Sequence, residues 1–295
     1  MAIVECVPNI SEGRRPRIVR EIARTVERNK GVRLLDYSSD VDHNRSVFTF
    51  AGPPSAVARA ALALADAAIA RIDMRTHAGA HPRIGAVDVI PFVPISGVSM
   101  ADCVALAKKV GKALARKHKI PVYLYAKAAA RPERVRLPDI RKPQFEGLGE
   151  LIEGDWKPDY GPAKVHPRAG AIVVGARPPL IAFNINLRSN DLALARRISK
   201  EIRESSGGMP AVQAMGVQLG DGRAQVSMNL LDFTVTPLSA LWDAVESRAR
   251  AAGVEVDEGE LIGLMPLDAA LEVAGSKLRL RGFDRKRIIE AHFLE

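Results

Sequence analysis

Twice along this chain the hydrophobic pattern runs strand, helix, strand, strand, helix, strand, and that order leaves few ways to fold. In the first half, short apolar runs at 2–8, 32–38, 45–51 and 86–94 have strand character, while 14–30 and 54–72 carry helical spacing. A further helix over 100–118 and a strand over 121–126 follow, with Ser99 expected to cap that helix and Ser11 the first one. Strands are next expected at 170–175 and 180–187. A helix at 190–205, strands at 211–219 and 223–231, a helix at 238–252 and a strand at 254–262 complete the second series. Gly220-Asp221-Gly222 supplies a tight turn between its two middle strands. This is the split βαβ order, so the expectation is an α/β (α+β) protein of two ferredoxin-like βαββαβ subdomains, 1–177 and 178–295, enclosing a cleft. Clefts between such halves commonly receive ligands.

Between the two series, residues 127–169 carry prolines at 132, 138, 143, 158, 162 and 167, which excludes long regular elements there. A loop of that length needs a functional or linking reason. Lys and Arg outnumber Asp and Glu by 43 to 34, a net charge of +9, so the surface should attract anions. The basic residues are spread along the chain, and the few aromatics are not interleaved with them as base-stacking platforms would be. A carboxylate-rich small molecule suits that pattern. The two cysteines, Cys6 and Cys103, form no CxxC pair and are expected as reduced core residues. The N-terminus lacks a signal-peptide pattern, and no apolar run has membrane-spanning length, so a cytoplasmic protein is expected. GxxxxGK[ST], GxSxG and HExxH are absent from the sequence, which removes the usual support for nucleotide-binding and hydrolase readings.

The candidate for chemistry is His81, in THAGAHPRIGAVDVIPFVP, between a glycine loop and a buried strand. Pro82 disfavours helix at His81, and Gly79 and Gly85 loosen the flanks, so the imidazole is placed on a loop at the mouth of a scaffold. His77 lies four residues earlier, the spacing of two zinc ligands on a helix. Gly79 and Pro82 oppose a helix, however, and no third ligand is near in sequence, so no metal is expected. A second His-Pro-Arg at 166–168 lies in GPAKVHPRAG, whose glycine ends let backbone approach a ligand. Asp42-His43-Asn44-Arg45 reads as a turn with local backbone bonding. Asn184 and Asn186 alternate with apolar residues on one strand, so both amides face the same side and need partners if buried.

Six segments, VECVPNISEG, NRSVFTFAGPP, RIDMRTHAGAHPRIGAVDVIPFVPISGVS, PVYLYAKAA, GARPPLIAFNINL and QVSMNLLDFTVTPL, span nearly the whole chain in order. Together they resemble the glutamate formiminotransferase family, whose transferase module stands alone in many microbes and is fused to a cyclodeaminase in mammals. The resemblance implies transfer of a formimidoyl group from N-formimino-L-glutamate to N5 of tetrahydrofolate. It makes His81 the active-site histidine and homodimerisation the expected assembly. It also maps the folate-binding segment onto Gly161, Pro162, Ala163, Lys164, Val165, His166, Pro167, Arg168, Ala169 and Gly170, of which the two ends and Pro167 match the family's pattern. The family's acidic residue two positions after Asp36 is replaced by Ser38, which receives no role. Chemically, N5 must lose a proton and the departing glutamate nitrogen must gain one, work that an imidazole can do. Arg83, with Asn184 and Asn186, is the candidate substrate contact. Tetrahydrofolate, with or without a polyglutamate tail, enters as co-substrate, and no metal or covalent intermediate is required. The chain is expected to carry no cyclodeaminase, leaving that step to a separate enzyme. The same cleft could serve a formyl rather than a formimidoyl donor. From another class, a basic tandem ferredoxin-like nucleic-acid-binding protein would fit the charge but gives His81 no purpose.

Overall fold

The computed structural model describes residues 2–293. It divides into two compact units, Met1–Arg177 and Pro178–Glu295.

In the first unit the opening strand is split into β1 (Ile3–Cys6) and β2 (Asn9–Ile10), because Pro8 has no N–H to give the ladder. Both pieces lie antiparallel between β4 (Arg45–Gly52) and β5 (Val87–Ser96), and β3 (Arg33–Asp40) pairs outside β4. That order, with its antiparallel pairing, is the ferredoxin-like arrangement. β7 (Ile172–Ala176) then adds parallel to β5, and β6 (Val122–Ala126) parallel to β7, extending the sheet to seven strands. The strand expected over 170–175 is therefore an interior member of the first sheet.

Helices α1 (Pro16–Glu27), α2 (Pro54–Arg71) and α3 (Met100–His118) cover one face. Helix α1 buries Val19, Ile22, Ala23 and Val26, one stripe at helical spacing, and alanines along α2 let α1 and α3 pack close to it. Ser99 caps α3 as expected, in a capping box completed by Asp102. Ser11 does not cap α1. Its hydroxyl donates to the Gly85 carbonyl at 2.7 Å, and α1 opens on Pro16 with no side-chain cap, while the Glu12 carboxylate accepts from Arg14 N and Arg15 N in the turn before it.

The proline-rich segment has a packing reason. It folds into two short helices, α4 (Leu137–Arg141) and α5 (Gln144–Leu151), whose Ile140 and Leu148 join Tyr123, Tyr125, Val89 and Val173 in a second core on the other face of the sheet. The parallel part of the sheet is thereby buried on both faces, which is why β5, β6 and β7 are almost continuously apolar.

The second unit has four antiparallel strands in the order β11 (Val256–Ile262), β8 (Ile181–Leu187), β10 (Ala224–Leu230) and β9 (Val212–Gln218). It repeats the same permutation. Helices α6 (Leu192–Ile202) and α7 (Leu238–Ala251) pack over its core, and α8 (Leu267–Lys277) lies beyond the last element expected from sequence. No helix among the described residues is long and apolar enough to cross a membrane. Cys6 and Cys103 are free and buried.

Candidate functional site

A small concavity in the first unit is lined by His43, Asn44, Arg45, His77, His81, Arg83 and Asp88, together with Ile10 and Ser11. Its floor is the meeting point of three strand ends. Asn9 comes from β2, Arg45 opens β4 and Asp88 sits at the start of β5, with Asn9 beside both Val47 and Val89 in register. The turn before β4 is fixed by Asn44, whose φ of +49° suits an Asn, and whose side chain accepts from Gly13 N and donates to the Ala78 carbonyl. The His81 loop packs hard against that turn. A Cβ on Gly79 would lie 2.3 Å from the His43 carbonyl oxygen, and Ala80 N donates to the Asp42 carbonyl.

His81 is partly buried, and its Nδ1 has no hydrogen-bond partner among the described residues. Burial pushes its pKa down to about 4, and the Arg45 and Arg141 guanidiniums push the same way against the Asp88 carboxylate. The imidazole is therefore neutral at pH 7, a base rather than a proton donor at rest. Asp88 holds the loop's exit by accepting from Ile84 N at 3.1 Å, and its other oxygen pairs closely with Arg141 of α4. Arg45 is anchored to the Asn9 side-chain oxygen, and burial lowers its pKa to about 10. The Nε groups of both Arg45 and Arg141 are buried and unpartnered. Two largely buried cations, with Asp88 between them and Asp40 acting on Arg45 from the turn, still leave both Nε groups without an anionic partner at the floor.

The other sequence candidates fall as follows. All five N–H groups of Arg83 are engaged: two point to Glu146, one to Gln144, one to the His77 carbonyl and one to His77 Nδ1. Arg83 locks the loop and has no donor left for a ligand. His77 accepts from Arg83 at Nδ1 and meets the Asn44 carbonyl at Nε2, which assigns it the neutral Nε2–H tautomer, in line with a pKa lowered by burial. With both nitrogens occupied, it is a structural residue.

The 161–170 segment is brought beside the His81 loop by main-chain contacts. Ala86 N donates to the Ala169 carbonyl, Ala171 N to the Ile84 carbonyl and Met74 N to the Arg168 carbonyl. A Cβ on Gly85 would lie 2.0 Å from the Ala171 oxygen, so only glycine permits that approach. His166 closes its own turn, Nδ1 accepting from Ala169 N and Arg168 N. Arg168 faces Asp73 at 3.5 Å, Val165 packs on the second core, and Ala169 and Gly170 are buried. Gly161, Pro162, Lys164, Pro167 and Arg168 are exposed and form the accessible part.

In the second unit, Asn184 and Asn186 do share a face, and both are buried. Asn184 donates to Glu260, Asn186 donates to Glu258, and Gln225 bridges Asn186 and Glu260.

Asn9, His43, Arg45, Asp88, Arg141 and Glu146 escaped the sequence reading of the site. Asp88 carried a usable signal, a lone charge inside the apolar run AVDVIPFV, which must find a partner if the strand is buried.

A model of the formiminotransferase domain's N-terminal subdomain matches residues 3–177, and a model of the formiminotransferase domain matches residues 182–282. The glutamate formimidoyltransferase of Streptococcus pyogenes serotype M1 is 46% identical over 99% of each chain. That of Thermoplasma acidophilum is 44% identical, covering 98% of this chain and 97% of its own. The formimidoyltransferase-cyclodeaminase of Rattus norvegicus is 44% identical over 92% of this chain and 52% of its own length. With both models matching in order and such identity along nearly its full length, this chain belongs to the formiminotransferase family of enzymes.

Proposed function

We propose that this enzyme moves the formimidoyl group of N-formimino-L-glutamate to N5 of tetrahydrofolate and releases L-glutamate, with His81 handling the proton. The carrying observation is a neutral imidazole with a buried, unpartnered nitrogen beside two guanidiniums whose Nε groups find no partner among the described residues. N5 attacks the formimidoyl carbon and gives its proton to His81, and the tetrahedral carbon then expels the glutamate nitrogen, which takes up a proton. A carboxylate of the bound donor, lying against Arg45 and Arg141, supplies the missing negative charge. It also offsets the repulsion that depresses His81, raising its pKa toward the range useful for accepting and returning a proton. Arg45 and Arg141 replace Arg83 in this role because Arg83 has no donor to offer.

The 161–170 segment is the folate contact in this reading, met mainly through its backbone; Asn184 and Asn186, on the second unit, are further candidate substrate contacts. A polyglutamate tail on the folate suits a chain of net charge +9. Family membership is the support for a cytoplasmic homodimer.

The test is His81→Ala. Turnover, read as glutamate release, should fall by about 10²–10⁴-fold while tetrahydrofolate affinity persists. Turnover within threefold of the parent protein would overturn the assignment.

A further inference from the structure

A second imidazole stands beside His81 in the same concavity. The ring centroids of His43 and His81 are 5.9 Å apart, edge to face at 76°. His43 ends the turn after β3 and is held by Asp40, the last residue of that strand. The carboxylate accepts from the His43 backbone N at 2.8 Å through one oxygen and lies 2.7 Å from ring Nδ1 through the other. Two contacts from one carboxylate fix both the ring's orientation and its tautomer, with the proton on Nδ1 and Nε2 left for exchange. The ring stays about half exposed, with 48% of its side chain open to solvent, so it can be reprotonated without opening the fold.

We infer that His43, oriented by Asp40, is a second proton-transfer residue of this site, giving its proton to the departing glutamate nitrogen while His81 takes the one from N5. The inference rests on the transfer reading above and divides the labour within it. The bond from N5 to the formimidoyl carbon forms, and the N5 proton passes to His81. The bond from that carbon to the glutamate nitrogen breaks, its electron pair leaves with the nitrogen, and a proton from imidazolium His43 completes the amine. His81 ends with one proton more and His43 with one fewer, and exchange through solvent resets both.

The charges around the two rings differ. His81 faces Arg45 from β4 and Arg141 from α4, with Asp88 from β5 only partly offsetting them, which favours a neutral ring. His43 instead has the Asp40 carboxylate against its Nδ1. Asp42 lies on the same turn, and Arg14, bonded to the Val41 carbonyl, is the nearby cation from the segment before α1.

The experiment is the pH profile of kcat for glutamate release by the full chain, His43→Ala and Asp40→Asn. The parent profile should fall on its alkaline side as His43 loses its proton. In His43→Ala, kcat should drop at least about tenfold and the alkaline limb should vanish, with KM for tetrahydrofolate unchanged. In Asp40→Asn, kcat should fall with KM for tetrahydrofolate unchanged, because the ring has lost the carboxylate that holds its orientation. A His43→Ala protein that keeps the parent's alkaline limb, whatever its rate, overturns the inference and leaves the His81 reading standing. Absence of turnover in the parent protein overturns the transfer reading and this inference with it.

Discussion

Asp88→Asn should cost the first unit about 4 kcal/mol at pH 7. The carboxylate is 3% exposed and its partner Arg141 is 11% exposed, so this is a buried pair, and removing one member of such a pair typically costs about 3–5 kcal/mol. Asparagine can still accept from Ile84 N, so the loop's hydrogen bond survives and the loss is charge alone. The remaining charges at the floor are then Arg45 and Arg141, both cations, with only Asp40, on the neighbouring turn, acting on Arg45. At about 2–4 °C per kcal/mol for a unit of this size, Tm should fall by roughly 8–16 °C. The chain's two tryptophans, Trp156 and Trp242, fall one in each unit, so a Trp242→Phe background makes Trp156 fluorescence a reporter of the first unit alone. Trp156 packs edge-on against Tyr123 in the second core, so its signal should change when that unit melts. Sulfate should restore more stability to Asp88→Asn than chloride at equal ionic strength, because a bound dianion replaces the lost charge and screening alone does not. A Tm shift under about 2 °C, or equal rescue by both salts, would refute the reasoning that the floor is short of an anion.

Two further outcomes follow from the same geometry. Unfolded chains protonate histidine below about pH 6.5, whereas folded His81 resists until about 4, so its contribution is fully present above pH 6.5 and is lost as pH falls toward 4. That contribution is at most about 3 kcal/mol, and urea midpoints at pH 7 and pH 4.5 should differ less in His81→Gln than in the parent; an unchanged difference counts against the buried-imidazole account. Gly85→Ala should destabilise the first unit by at least about 2 kcal/mol, since its Cβ would meet three backbone atoms of the 169–171 stretch. Wild-type stability in a thermal melt would show that the two segments do not touch as described.

Much of the architecture was legible because it is written in periodicity. The two strand-helix series, the α3 cap at Ser99 and the tight turn at Gly220-Asp221-Gly222 all rest on neighbours within a few residues, and the structure contains them. The role of 127–169 was not legible, because what orders it is contact with β5, β6 and β7, and proline spacing reports only what it cannot form. The site divides along the same line. His81 could be found from Pro82 and the flanking glycines, but Arg141 is 53 residues from Asp88, and nothing local announces the pair. Arg83 looked available because sequence shows a cation beside a candidate histidine and cannot show Glu146, which is 63 residues away and takes two of its donors. His43 was hidden for a subtler reason. Asp-x-x-His is what an ordinary turn looks like, and only the approach of another loop turns it into half of a pair.

The seam between the His81 loop and the 161–170 segment is sewn by amides and carbonyls at Met74, Ile84, Ala86, Arg168, Ala169 and Ala171. Main-chain stitching does not care which side chains hang between the stitches. The segment is thus a position-holder whose lettering can drift over evolutionary time, provided the terminal glycines stay.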